Sequence, residues 1–519
     1  MSERDVFYLW HLEHLGLITR TADGWSAPLW DDASCGDAVT VAIIDSGLDP
    51  RHPNLEAALV APQIDFGPQI TGAVYRSAVP TVSALRQALA TSQSDLKEIV
   101  QRVLAEVRAH TVRAGLDIEK LNVLHDAVQA AGNPASAAQA FLEALSVQPP
   151  GLSMADAGFG DAAAKIADLD LDADHSATIT AMAGQMARGY AQIDMPDPAA
   201  FFGAHGTACA GLVGGRPPRD RPHEFFSALP YYGVNPFCQI ASYATPYSHE
   251  IKPVINALLA AYFSEAPVIL MPRGLPDVAA RAELPPSARR QTRIETCNSA
   301  HPETLVDDDQ ANLMGLRRDQ ELIEALLLAI AKRRYVVLAA GNEGRGNMLA
   351  YPASAAGLVD SAIVVAAVTR DGLRASYSNG APAPATLLHM VSDDAEVLHR
   401  DDQRIDAGTF NGSDYQFGDV DMAASTAKYV PWAPLSLDVR GPYGFTASSH
   451  RDVPDYEDGV DIASLYTLFG GTSAAASQAA GLVSLLIQAG KLPVTPAGGA
   501  EPVITAMQAE GLRHVRPLP

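Results

Sequence analysis

The 519-residue sequence contains few cysteines and few basic residues. Its four cysteines, Cys35, Cys209, Cys238 and Cys297, lie far apart, and none forms a Cys-x-x-Cys pair. This spacing argues against a structural zinc site and against a disulfide framework. Only 37 lysines and arginines stand against 60 aspartates and glutamates, a formal net charge of −23. Because phosphate groups are bound by basic surfaces, we expect neither nucleic acid nor an anionic membrane as a partner.

Long apolar runs and a leader-like start are also missing from the sequence. No uninterrupted apolar stretch has the length that a bilayer requires. The first residues do not combine a basic start with a long apolar run, as a signal peptide would. The simplest expectation is a cytoplasmic protein. A hydrophobic content of 48% with 19% charged residues is typical of a globular chain with a large core.

Short apolar runs alternate with helical patterns along much of the chain. Four of these runs have the length of a strand and are apolar almost throughout: Ala38–Ile44, Pro267–Met271, Tyr335–Ala340 and Ile363–Val368. Such runs are typical of strands buried on both faces, as in a parallel sheet covered by helices. Helical patterns at Ile255–Phe263 and Asp319–Ala331 fall between them. The alternation predicts an α/β fold with a central, mostly parallel sheet.

Two regions depart from this alternation. Within residues 68–200, apolar residues recur at helical spacing between Leu85 and Val107, and helical patterns follow near 116–131 and 135–146. We expect a mainly helical subdomain inserted here. Residues 381–468 are rich in Asp, Gly and Pro and should form long surface loops.

Ser473 lies among small residues just before the apolar run Ala479–Ile487, which reads as a buried helix. The start of a helix offers unpaired N–H groups, which suit the negative charge that develops when a serine attacks a carbonyl. The same pattern is also typical of a Thr or Ser cap on a core helix. The stretch alone therefore leaves both interpretations open.

Three other polar residues stand at positions where sites form. Asp45 ends a buried strand, Asn342 follows another between glycines, and His205 begins a helix of small residues. Carboxyl ends of strands carry the sites of α/β sheets. Asp45 and Asn342 could equally satisfy their own turns. Cys209, one helical turn after His205, is interpreted as core packing, because nothing nearby would favour its thiolate.

Four segments in the order Asp, His, Asn, Ser resemble the motifs of the subtilisin-like serine protease (subtilase, peptidase S8) family. They are Ile43–Gly47, His205–Gly211, Ala339–Gly344 and Gly471–Ala475. The likeness extends over roughly residues 38–67 and 200–519. It implies a three-layer subtilisin-like fold in which a central, mostly parallel sheet is flanked by helices, with the helical subdomain inserted.

The resemblance implies a role for each matching residue. Ser473 would be the nucleophile, His205 its general base and then acid, and Asp45 the group that orients the imidazole. Asn342 would hold the oxyanion together with the N–H of Ser473.

The substrate-binding strand of the family corresponds most nearly to Met271, Pro272, Arg273 and Gly274, which would pair with an extended peptide. The family usually has Ser-Leu-Gly where Pro272–Gly274 stands, so the wall of the specificity pocket is altered.

The chain departs from the family pattern at other places too. Ser477 replaces a usual proline and Gln478 a frequent histidine, which could loosen the helix that carries the nucleophile. The segments Asp419–Ala424 and Gly459–Ala463 both resemble the strand before the serine loop. Calcium is common in the family, but no loop here offers a clear cage of oxygen ligands, so the sequence assigns no cofactor and no metal and leaves calcium open.

The sequence thus divides into an N-terminal arm with the Asp motif (1–67), the helical insertion (68–200), and the rest of the catalytic domain (201–519). We expect an intracellular serine endopeptidase acting on polypeptide substrates, since 44 residues before Asp45 are too few for the folded prosegment of secreted relatives. The insertion 68–200 would gate the cleft or dock a regulatory protein. The alternatives are a transpeptidase or macrocyclase of the same fold, and a catalytically silent peptide-binding protein.

Overall fold

The computed structural model describes only part of the chain. The described residues are 9–22, 24–50, 52–60, 63–66, 85, 88–90, 95–109, 118–144, 162–186, 191–192, 204–217, 231–245, 251–277, 310–394, 396–399, 402–404, 433–439, 445 and 465–515. The two segments proposed for the strand before the serine loop, 419–424 and 459–463, lie outside them.

The elements of the described residues are numbered in chain order. The helices are α1 (Trp10–Leu15), α2 (Pro28–Ser34), α3 (Leu96–Ala109), α4 (Ile118–Ala130), α5 (Ala135–Ala144), α6 (Ala162–Ala167), α7 (Ala173–Met186), α8 (His205–Gly214), α9 (Lys252–Phe263), α10 (Gln310–Ala331), α11 (Leu358–Ser361), α12 (Gly471–Gln488) and α13 (Ala500–Ala509). The strands are β1 (Thr19–Thr21), β2 (Gly24–Ser26), β3 (Thr40–Asp45), β4 (Ile64–Asp65), β5 (Ala191–Gln192), β6 (Gln239–Ala244), β7 (Val268–Met271), β8 (Tyr335–Ala339), β9 (Ile363–Val368), β10 (Leu388–Val391), β11 (Glu396–His399), β12 (Asp402–Arg404), β13 (Leu435–Leu437) and β14 (Tyr466–Leu468).

The central sheet has eight strands in the described part of the chain, in the order β10-β9-β8-β7-β3-β6-β4-β5. All neighbouring pairs are parallel except β4 and β5, which run antiparallel. Strand β3 is central, since β6 pairs with one of its edges and β7 with the other. The carboxyl ends of β6, β3, β7 and β8 therefore meet at one edge of the sheet.

Both faces of this sheet are covered, because its strands are apolar on both sides. Val41 and Ile43 of β3 join one core, which also contains residues of α1, α2, α8, α12 and α13. Ala42 and Ile44 face a second core, with residues of α6, α7, α9 and α10. The result is three layers, as expected, and the α/β prediction is confirmed. Every residue of α12 is buried, which explains the small and apolar composition of that helix.

The first residues pack on the core, as the sequence indicates. Leu12, Leu15 and Leu17 are buried in the same core as α12. The indole of Trp30 donates to the carbonyl of Val234 at 2.9 Å.

Two groups of helices in the 68–200 region pack against different partners. Helices α3, α4 and α5 share an apolar cluster of their own, which contains Val100, Leu121 and Phe141 and which we call the three-helix cluster. Helices α6 and α7 instead contribute Ile166 and Ile179 to the core beneath the sheet. Part of the region expected to be a separate subdomain thus completes the α/β core.

The predicted strands and most predicted helices match the observed bounds to within a few residues. Helix α10 begins at Gln310, nine residues before the predicted start at Asp319. The predicted loop region 381–468 instead contains, among its described residues, five short strands, β10 to β14. Within the predicted loop region 381–468, β10 joins the central sheet beside β9. Strand β10 is only four residues long and includes His389, so its pattern does not distinguish it from a loop. No helix among the described residues has the length and apolarity to cross a membrane.

His11 on α1 gives a testable consequence for stability. It is fully buried, and neither ring nitrogen has a hydrogen-bond partner among the described residues. Burial lowers the pKa of His11 from 6.5 to about 3. Below pH 6.5, His11 binds a proton in the unfolded chain but stays neutral in the folded chain. The free energy of unfolding therefore falls as the pH drops below 6.5.

Between about pH 7 and about pH 5, His11 should lower the free energy of unfolding by about 2 kcal/mol. We expect His11→Leu to abolish this part of the decrease. Thermal unfolding followed at both pH values measures this. His125→Leu, at a partly exposed histidine of α4, should keep the acid sensitivity of the unchanged protein. Equal acid sensitivity in the His11 variant would contradict the prediction.

Candidate active site

Asp45 and His205 meet where β3 ends and α8 begins. His205 Nδ1 lies 2.9 Å from one carboxylate oxygen of Asp45 and 3.0 Å from the other. Both side chains are buried, with 1% and 3% of their surface exposed. The backbone N–H of Ser46 donates to the same carboxylate at 2.6 Å. The pair is thus fixed by hydrogen bonds in a setting that excludes water.

The charges and hydrogen bonds around this pair together outweigh the effect of burial on both pKa values. Burial alone would raise the pKa of Asp45, but the charge and hydrogen bonds of His205, the N–H of Ser46 and the charge of Arg273 hold the pKa below its usual value. Burial alone would lower the pKa of His205, yet Asp45 holds it well above the usual value. The ionised carboxylate therefore favours the imidazolium form of His205.

A close backbone contact sets the distance between α8 and β3. A Cβ added to Gly206 would lie 2.1 Å from the carbonyl oxygen of Gly47, so only glycine fits there. The N–H of Gly206 also binds this loop, since it donates to the Ser46 hydroxyl at 3.2 Å. The neighbouring Thr207 hydroxyl accepts the N–H of Asp49 at 3.0 Å.

Ser473 is the third residue of α12, at the predicted junction of loop and helix. Gly471 begins the helix with φ +78°, a conformation that favours glycine. The Ser473 hydroxyl is buried and donates to the carbonyl of Pro272 at 2.7 Å. This bond, and not one to His205, is the hydrogen bond that the hydroxyl makes among the described residues.

The turns that carry His205 and Ser473 nevertheless lie side by side. Ala474 packs in one apolar cluster with residues of the first turns of α8, including Cys209. The hydroxyl of Ser477, one turn after Ser473, lies beside the Cys209 thiol. The ring of Phe469 meets the ring of His205 edge-on at 5.3 Å. These contacts bring three of the predicted site residues to one end of the sheet.

Asn342 follows β8 and is bound to the residue next to Ser473. Its side-chain oxygen accepts the N–H of Thr472 at 2.9 Å and the Thr472 hydroxyl at 2.8 Å. That hydroxyl in turn accepts the N–H of Gly341 at 3.2 Å. Because the oxygen is committed to Thr472, the side-chain NH₂ of Asn342 must be directed elsewhere.

The residues expected to form the substrate strand, Met271–Gly274, are all buried. Met271 ends β7 in the apolar core, and Pro272 uses its carbonyl for Ser473. Arg273 is only 1% exposed, and its Nη1 donates to the Thr245 hydroxyl at 3.1 Å. The side chain at the altered specificity position is therefore directed into the protein.

The departures from the family pattern in α12 do not interrupt the helix. Ser477 is buried, and its hydroxyl donates to the carbonyl of Ser473 at 2.8 Å. The amide of Gln478 donates to Val391 of the neighbouring strand β10 at 2.7 Å. The helix runs unbroken to Gln488.

Two residues behind the serine loop were not singled out by sequence. Tyr377 donates its hydroxyl to Asp393 at 2.8 Å and accepts the N–H of Gly471 at 3.1 Å. The carboxylate of Asp393 lies so close to Gly470 that a Cβ there would sit 2.1 Å from it. Asp393 lies in the predicted loop region, and neither position carries a sequence pattern that indicates this contact.

One group of described side chains could in principle offer ligands to a metal: Asp45, His205 and Cys209. The carboxylate and the imidazole nitrogen of this group are already bonded to each other at 2.9 Å. Burial raises the pKa of the Cys209 thiol, so the sulfur stays protonated. The group is thus accounted for by the Asp–His pair and a packed thiol.

The sequence matches the model of the Subtilase family over residues 36–392. The chain belongs to the subtilase family. The match includes Asp45, His205 and Asn342, and Ser473 lies beyond its end.

The chain is also similar, at low identity, to several solved structures. The nisin leader peptidase NisP from Lactococcus lactis is 12% identical, with a TM-score of 0.41 over 94% of this chain and 86% of that one. The epidermin leader peptide processing serine protease EpiP from Staphylococcus aureus is 13% identical, with a TM-score of 0.42 over 94% and 72%.

The serine protease of Aeromonas sobria, solved with its chaperone, is 13% identical with a TM-score of 0.37 over 87% of this chain. This subtilase matches 47% of that longer chain. The comparison with curated proteins gave no significant match.

The contact of Gly206 with Gly47 predicts the effect of adding one methyl group. Gly206→Ala should force α8 away from β3, lower the free energy of unfolding by about 1–3 kcal/mol and separate His205 from Asp45. Gly132→Ala is the control, because a Cβ at Gly132 meets nothing within 4 Å. Denaturant unfolding and the NMR signal of the His205 Nδ1 proton report stability and contact. An alanine variant that keeps both would show that the close approach is not required.

Proposed function

We propose that this subtilase is a serine endopeptidase that hydrolyses peptide bonds of polypeptide substrates. The observation that carries the proposal is the buried Asp45–His205 pair, packed against the first turn of the helix that presents Ser473. Asp45 fixes the imidazole through Nδ1, which leaves Nε2 to exchange a proton with the serine.

In the acylation step, the Ser473 oxygen attacks the scissile carbonyl while His205 Nε2 takes the hydroxyl proton. The tetrahedral intermediate collapses as His205 returns that proton to the leaving amine, so the C–N bond breaks and an acyl-serine remains. Water then attacks the acyl-serine with the same base, which releases the carboxylic acid and restores the hydroxyl. Asp45 stays ionised throughout and stabilises the imidazolium.

The oxyanion of the intermediate would be held by the N–H of Ser473 and the side-chain NH₂ of Asn342. The two hydrogen bonds that Thr472 donates to the Asn342 oxygen support this role. They fix the side-chain amide and leave its NH₂ group to donate to the oxyanion. Fixed donors stabilise developing charge without reorganising during the reaction.

The resting position of the Ser473 hydroxyl adds one requirement. To react, the hydroxyl must leave the Pro272 carbonyl and reach the imidazole of His205. The arrangement therefore describes a resting enzyme. It also favours a second candidate, a silent peptide-binding protein, should the hydroxyl never turn.

Regulation and location stay predictions. If the insertion 68–200 regulates activity, we assign that role to the three-helix cluster, because α6 and α7 belong to the core of the sheet. A cytoplasmic setting remains the expectation from sequence.

A fluorophosphonate probe tests the proposal directly. We expect covalent labelling of the protein and no labelling of Ser473→Ala, with peptide cleavage lost in the same variant. Ser477→Ala, one turn away and outside the proposed chemistry, is the matched control and should still be labelled. The mass of the products distinguishes hydrolysis, which adds one water, from transpeptidation, which does not. A folded protein that neither labels nor cleaves would be the silent binder.

The raised pKa of His205 predicts the pH dependence of cleavage. His205 must be neutral to accept the serine proton, and Asp45 favours its charged form. On the acid side of the pH profile, which we call the acid limb, kcat/KM should therefore rise with pH with an apparent pKa above 6.5. At pH values below this apparent pKa, activity should be lost. Initial rates on one peptide across the pH range measure the limb. A limb at or below the usual histidine value would contradict the electrostatics described for the pair.

A further inference from the structure

Arg273 is the largest of the fully buried side chains among the described residues. A guanidinium keeps its charge under all ordinary conditions, and removing it from water costs several kcal/mol unless other groups compensate. Because Arg273 is buried beside the proposed triad despite this cost, we expect its charge to have a function there that a neutral side chain could not perform.

The strand order places Arg273 across the end of β3. Arg273 follows β7 and Thr245 follows β6, and these strands flank β3 on its two sides. Arg273 Nη1 donates to the Thr245 hydroxyl at 3.1 Å. The N–H of Thr245 donates to the backbone carbonyl of Asp45 at 2.7 Å, and its hydroxyl lies 3.4 Å from the same oxygen. One cross-link thus joins the carboxyl ends of three adjacent strands.

We infer that Arg273 is a positioning residue of the proposed triad: it fixes the end of β3 through Thr245 and supplies a buried positive charge behind Asp45. The inference rests on the proposed function, because it assigns Asp45 to orienting His205. The charge acts in the direction that this role requires, since Arg273 is among the groups that keep the pKa of Asp45 low.

His205 and Arg273 act on Asp45, and Asp45 and Cys209 act on His205. Helix α12, which packs against α8, contributes no ionisable side chain. Removal of the Arg273 charge would let the Asp45–His205 pair bind a proton more tightly, so His205 would stay charged to a higher pH.

The buried position also separates this role from substrate selection. A cation in the substrate pocket would attract acidic side chains of the peptide. Arg273 is instead 1% exposed and bonded to Thr245. We therefore expect the preference among substrate side chains to be the same with and without its charge.

The test compares Arg273→Met with Arg273→Lys in the full chain. Arg273→Met should move the acid limb of kcat/KM upward by about one pH unit. It should also lower kcat about tenfold with little change in KM. Arg273→Lys should keep the limb near its original position. Arg216→Met is the matched control, because Arg216 is also buried but binds the carbonyl of Cys238 at 2.7 Å, away from the pair. It should leave the limb unmoved.

Thr245→Val tests the cross-link independently if Arg273→Met does not fold. It removes the hydroxyl that holds the guanidinium, and it should shift the limb in the same direction by a smaller amount. An acid limb that stays in place in a folded Arg273→Met or Thr245→Val variant would overturn the inference. The inference would also be overturned if the unchanged protein preferred acidic substrate side chains and Arg273→Met lost that preference. If the unchanged protein itself neither labels at Ser473 nor cleaves, the proposed function has failed instead.

Discussion

The hydrogen bond between His205 and Asp45 depends on how closely a helix can approach the middle strand of a sheet. Helix α8 reaches β3 because Gly206 has no side chain to meet the Gly47 carbonyl. Helix α12 then packs against α8 with small residues, which brings Ser473 to the same end of the sheet. The composition of these two helices follows from this geometry, since larger side chains would separate the groups that the proposed chemistry requires.

Much of this arrangement could be predicted from the sequence. Strands β3, β7, β8 and β9 are apolar almost throughout, so their existence and parallel pairing follow from local pattern. The positions of Asp45, His205 and Ser473 at element ends follow from the same pattern, because glycines and small residues mark the turns. The family membership is confirmed, and so is the α/β fold in three layers.

Other features are set by contacts between residues distant in sequence. No local pattern distinguishes Arg273 as a buried cation from Arg273 as a pocket residue, because its partner Thr245 lies on another strand. The bond from Tyr377 to Asp393 and the position of β10 depend likewise on tertiary packing. The bond from Ser473 to Pro272 reflects one side-chain rotation, on which the sequence carries no information.

The separate apolar cluster of α3, α4 and α5 has a consequence for how the molecule opens. A unit with its own core can unfold at the cost of that core alone, while the rest of the fold stays intact. Its backbone amides should exchange with deuterated solvent faster than those of α12, which is buried along its whole length. The subtilase would then contain two cooperative unfolding units. The three-helix cluster would open readily, whereas the backbone amides of the sheet-centred body would exchange only when the whole chain unfolds.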